Sequence, residues 1–110
     1  MFHSDLPAVD AAAVPADAIV LDVRENEEWA AGHAEGAVHI PMGEVVSRIG
    51  EVPEGGRVHV VCRVGGRSAQ VAQYLIAQGV DAVNVNGGML DWEAAGRPVV
   101  DSSGESGFVL

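Results

Sequence analysis

The chain has 110 residues, 48% of them hydrophobic and 20% charged, and a formal charge of -10. That length supports one domain with one modest core, and an acidic chain whose only basic residues are six arginines disfavours nucleic acid and anionic membranes as partners. A lone cysteine excludes an internal disulfide. No apolar run approaches the ~18 residues of a membrane span, and the opening residues hold no basic segment leading into an apolar one, so the expected compartment is the cytosol.

Apolar runs alternate with helical patterns, which predicts an α/β fold: a small open, mainly parallel β-sheet flanked by helices on both faces. Residues 18–23 form a continuous apolar run suited to a strand buried on both sides. Residues 25–31 read as a short helix with acidic residues in its first turn, closed by Gly32. Residues 36–41 are extended and end at Pro41, and residues 42–49 read as a short helix with Val45, Val46 and Ile49 on one side. A strand at 58–61 follows the turn Gly55-Gly56. The clearest helix spans 68–78, with a stripe of Val71, Ala72, Leu75 and Ile76 and with Gly79 at its end. Residues 82–86 alternate as the final strand, and Gly87-Gly88 leads into a last short helix carrying Trp92. The domain is expected over 5–100, followed by a loose tail at 101–110.

Cys62 stands where the strand at 58–61 gives way to the helix at 68–78. The intervening Arg63-Val64-Gly65-Gly66-Arg67-Ser68 lets the backbone curl its amides inward as an anion-holding nest backed by a helix N-terminus. If the anion is the sulfur itself, that setting, with an arginine on either side, lowers the thiol from its free value of about 8.5. Positive charge gathered here in an otherwise negative chain points to a small anionic ligand. Ligand sites in open α/β sheets gather outside the carboxyl ends of the strands, which places the site above Cys62, near the loops after Asp22 and Asn86. Cysteine phosphatases resemble one another in a Cys-x5-Arg loop, commonly with histidine before the cysteine. Here Cys62 and Arg67 are separated by only four residues and Val61 precedes the cysteine, a tighter cradle that favours sulfur over phosphate.

Three motifs together carry a resemblance to a known family. Leu21-Asp22-Val23-Arg24-Glu25 with Glu28, then Gly32-His33-Ala34-Glu35-Gly36-Ala37-Val38-His39-Ile40-Pro41, resembles the amino-terminal signature of the rhodaneses. Cys62-Arg63-Val64-Gly65-Gly66-Arg67-Ser68 resembles their active-site loop, and Gly87-Gly88-Met89-Leu90-Asp91-Trp92 with Gly96 and Pro98 their carboxyl-terminal signature. From Pro7 to Val99 the chain is similar to a single-domain rhodanese of the sulfurtransferase family. The resemblance implies transfer of a sulfane sulfur from thiosulfate or a persulfide to Cys62, which becomes a persulfide, and then to cyanide or a thiol, on a small molecule or a thiol protein. The loop 63–68 would bind the anionic donor and stabilise the persulfide, with no metal and no organic cofactor. With no second cysteine in the chain, discharge must go to an outside acceptor. A non-turnover persulfide carrier or signalling module that docks to a partner protein is the alternative, and a small phosphatase- or arsenate-handling enzyme stands third.

Asp22, Arg24, Glu28 and His33 read as a supporting ion-pair and hydrogen-bond brace rather than as catalysts. His3, His39 and His59 lack metal-ligand spacing. Trp29 and Trp92 read as core anchors of their helices, Gly87 and Gly88 as residues that permit close packing beside the loop, and Ser68 as a helix cap. The acidic surface favours a monomer.

Overall fold

The structure, a computed structural model, describes residues 6–110. His3, the expected domain start at residue 5 and the opening segment behind the compartment reading lie outside the described residues. A five-stranded sheet forms the centre, in the order β1-β6-β5-β2-β4, built from β1 (Ala8–Asp10), β2 (Ile19–Asp22), β4 (Val38–His39), β5 (Val58–Val61) and β6 (Ala82–Asn86). Every neighbouring pair is parallel. The inner strands β2, β5 and β6 are almost wholly buried, in keeping with the continuous apolar run at 18–23. No helix among the described residues is long and apolar enough to cross a membrane.

Side-chain alternation divides the core into two layers. On one face Leu21, Val58 and Val60 meet Val71, Ala72 and Leu75 of α2 (Gly66–Ala77). On the other, Val20, Val61 and Val85 meet Met89 and Trp92 of α3 (Gly88–Ala94). α2 thus begins two residues before the predicted start, and its buried stripe is narrower, because Ile76 lies at the rim of the α2–sheet contact and is 40% exposed.

α1 (Asn26–Ala31) starts at a capping box: the Glu25 carboxylate accepts from the Glu28 amide, and the Glu28 carboxylate accepts from the Glu25 amide at 2.9 Å. The expected helix over 42–49 is not formed. Two short 3-10 turns, Met42–Glu44 and Ile49–Glu51, take its place, with Val45 buried and Val46 65% exposed. Adjacent β-branched valines framed by Gly43 and Gly50 disfavour a continuous helix there.

The tail is not loose. Val99–Val100 forms β7, antiparallel to β3 (His33–Ala34). The Asp101 carboxylate accepts from the Ser103 amide (2.9 Å), the Ser103 hydroxyl (2.6 Å) and the Glu105 amide (3.0 Å), which turns a Ser/Gly-rich stretch back on itself. The amide of Phe108 then donates to Ala31 O at 3.0 Å, and that of Gly107 to Val99 O at 2.9 Å. Gly32 sits so close beneath that a Cβ there would strike the Phe108 carbonyl.

Candidate active site

β5 delivers Cys62 to the carboxyl edge of the sheet, where Val23 N donates to Val61 O at 3.0 Å and keeps β2 alongside. The chain then turns through Gly65, whose φ of +115° is open to few residues other than glycine, and enters α2 at Gly66. This turn aims the Gly65 amide at Cys62 Sγ, 3.1 Å away. The Ser68 hydroxyl lies 3.3 Å from the same sulfur and 2.6 Å from Asn84 Oδ1. Ser68 therefore does not cap α2. Gly65 stands at the N-cap, and Ser68 lies in the first turn, pointing down at the sulfur.

A hydroxyl has one proton, so Ser68 donates either to Asn84 or to Cys62. Asn84 also donates from Nδ2 to Gly65 O at 3.2 Å, and so holds both groups that touch the sulfur. Behind the loop, Met89 N donates to Cys62 O at 2.9 Å and Leu90 N to Arg63 O at 3.1 Å. Gly88 makes this docking possible, since a Cβ there would collide with the Cys62 and Arg63 carbonyls. The close packing expected of Gly87-Gly88 is thus located at one residue, Gly88, against the loop backbone.

Burial pushes the Cys62 thiol up, but hydrogen bonds from the Ser68 hydroxyl and from the Ser68, Gly65 and Val64 amides outweigh it and hold the thiol below its ordinary value. These donors favour the charged form in a site from which water is excluded. The residue is only 1% exposed. A reacting molecule therefore reaches it only with a terminal atom.

The two loop arginines are committed elsewhere. Arg67 makes a two-pronged pair with Glu28, Nη1 to Oε1 at 2.7 Å and Nη2 to Oε2 at 3.0 Å. That pair, chiefly the Arg67 hydrogen bond, draws the Glu28 carboxyl down to about 2 against the opposing effect of burial. Arg63 is exposed and its Nε donates to Leu110 O at 2.8 Å. Val64 is exposed at the loop tip.

The expected brace is split. Asp22 and Arg24 are both fully buried and joined by Arg24 Nη2 to Asp22 Oδ2 at 2.7 Å, and the same Nη2 donates to Gly32 O at 2.7 Å. Glu28 belongs instead with Arg67 of the loop. His33 pairs through Nδ1 with Trp29 O at 2.7 Å. Trp29 is half-buried, not a core anchor, and its ring stacks on His33 (centroids 3.5 Å apart) and on His39 (4.8 Å). Trp92 is the anchor expected: it is buried, donates to Pro98 O at 3.1 Å, and carries the Arg97 guanidinium 4.0 Å from its ring.

Asn84 is the site residue that the motifs miss. A signal for it exists in the sequence, because an asparagine inside the strand Ala82–Asn86 is a buried polar group needing a partner. Its register opposite Val60, two residues before the cysteine, sets it under the loop.

The Rhodanese-like domain family matches residues 8–95. A sulfurtransferase of Allochromatium vinosum is 36% identical over 89 residues, 80% of this chain and 83% of its own. A Bacillus subtilis protein named "Putative sulfur carrier protein YrkF" is 45% identical over 74 residues, 66% of this chain but 40% of the longer relative. Among solved structures, a rhodanese-related protein from Thermoplasma volcanium superposes with a TM-score of 0.80 at 31% identity, covering 86% of this chain and 97% of that one.

Proposed function

The chain belongs to the rhodanese-like domain family, and on that premise we propose that it transfers sulfane sulfur through a persulfide on Cys62. The observation that carries this reading is the sulfur's surroundings: Sγ meets the Gly65 amide at 3.1 Å and the Ser68 hydroxyl at 3.3 Å, with its thiol pKa lowered by them. Those donors favour a thiolate nucleophile and can serve the terminal sulfur of a persulfide in the same way.

In the charging step the thiolate attacks the outer sulfur of a donor. The donor's sulfur–sulfur bond breaks, its electron pair leaves with sulfite or a thiolate, and a new sulfur–sulfur bond forms on Cys62. In discharge an outside thiol or cyanide takes the outer sulfur and the Cys62 thiolate returns. Oxidation states balance across the two steps, so the cycle needs no electron acceptor. The loop 63–68 surrounds the sulfur, while Asp22 and Arg24 hold the strand end beneath it.

Charging is read by intact mass. After incubation with a sulfane donor the protein gains one sulfur atom, and Cys62→Ser gains none; a wild-type chain that stays unmodified under both thiosulfate and glutathione persulfide sinks the proposal.

A carrier role is the second reading, favoured by the likeness to YrkF and by the absence of a resolving cysteine. Its sulfur would pass to a thiol protein. Turnover separates the two: an enzyme cycles with free donor and acceptor, whereas a carrier loads once and stalls.

A further inference from the structure

Charge pairing around Cys62 leaves little to hold a dianion. Arg24 is committed to buried Asp22, and Arg67 to Glu28 by two hydrogen bonds. Glu28 is itself fixed at the start of α1, where its carboxylate also accepts from the Glu25 amide at 2.9 Å, so it cannot swing aside without opening the capping box. Arg67 lies close enough to the sulfur to feel its charge. Arg67 is the second residue of α2, directly after the loop, so the Glu28 carboxylate paired to it sets its negative charge against the end of that loop. Only Arg63 of the loop has no side-chain carboxylate partner among the described residues, and it is exposed to solvent, where screening weakens it.

From this charge balance we propose that Glu28 is a specificity-determining residue that sets the site against sulfane oxyanions such as thiosulfate and toward thiol hydropersulfides as sulfur donors. The inference rests on Cys62 being the sulfur-accepting residue. A thiosulfate dianion must bring two negative charges up to a thiolate with one exposed guanidinium, that of Arg63, itself hydrogen-bonded to Leu110 O, to offset them. A hydropersulfide presents an uncharged outer sulfur in its protonated form, R–S–SH, and a single negative charge when dissociated. The Cys62 thiolate attacks that sulfur, the donor's S–S bond breaks, the electron pair and negative charge leave on R–S⁻, and the proton stays on the transferred sulfur as Cys62–S–SH. No oxidant or reductant enters.

The test compares second-order rates of Cys62 charging by thiosulfate and by glutathione persulfide, read by intact mass, in wild-type protein and in Glu28→Gln. Glutamine at this position keeps the capping box while removing the charge. The thiosulfate-to-persulfide rate ratio is expected to rise about fivefold or more in Glu28→Gln. In wild type, raising ionic strength is expected to leave thiosulfate charging unchanged or to speed it, since salt screens repulsion. The inference is overturned if the ratio is the same in a folded Glu28→Gln variant, or if thiosulfate charging of wild type falls steeply with salt, as it does where free arginines draw the anion in. Should the variant fail to fold, the salt series on wild type decides. Failure of both donors to charge Cys62 is a different result, and removes the proposed persulfide function itself.

Discussion

Cys62 owes its lowered pKa chiefly to hydrogen bonds from its own loop. The Ser68 hydroxyl is the one side-chain donor among them, and it is shared with Asn84. Ser68→Ala should therefore raise the thiol pKa, since it removes a bond made to the charged form. The acid limb of the alkylation-rate profile then moves to higher pH, with a several-fold loss of rate at neutrality that is recovered in alkali. A profile that superimposes on wild type would show that the backbone amides alone set the pKa. At this scale the sequence pointed to the proposed nucleophile and its loop, because both follow from local spacing. It did not reveal that Glu28 pairs with Arg67, 39 residues away, nor that Asn84 holds the loop from below. Those partnerships are set by which strands lie side by side, and that is not written in any one segment.

The site exists where three elements converge: the end of β5, the start of α2 and the start of α3. The junction with α3 leaves the least room. Gly88 has a φ of +54°, and a side chain there would meet the Cys62 carbonyl. Gly88→Ala is expected to cost about 2–4 kcal/mol of unfolding free energy in urea melts and to reduce sulfur loading by displacing the loop; a variant as stable and active as wild type would show that α3 can draw back freely. The central strands and α2 were legible as elements because burial on both sheet faces and an amphipathic stripe leave strong patterns. β1, β3 and β7 were not, since each is only two or three residues long and gains its character from the strand beside it. The stretch 42–49 was misleading for a related reason: its apolar spacing fits a helix, while Val45 is buried, Met42 and Ile49 pack partly against the core, and Val46 is exposed. The tail misled through composition, because a Ser/Gly-rich stretch reads as a linker until Asp101 is seen to gather it.

Across the whole molecule, a formal charge of -10 coexists with a thiolate-favouring pocket because the hydrogen bonds that matter are short and sheltered, while most acidic groups are solvated and screened. The same distribution separates the strong from the weak ion pairs. Asp22–Arg24 is fully buried, so removing one partner strands a charge, whereas Arg57–Asp81 is exposed and contributes little. The fold's connectivity has a further consequence in time. The groups that surround Cys62 include Asn84 and the first turn of α3, and β1 can join the sheet only beside β6. During synthesis the cysteine thus leaves the ribosome well before the chain that completes its cradle. A chain stopped after Ala82 should alkylate as an ordinary thiol, with a pKa near the free value of about 8.5, while the full chain does not; equal profiles would mean that β5 and α2 suffice. On this account the nascent protein carries an ordinary thiol, and its special chemistry switches on with the last helix to dock.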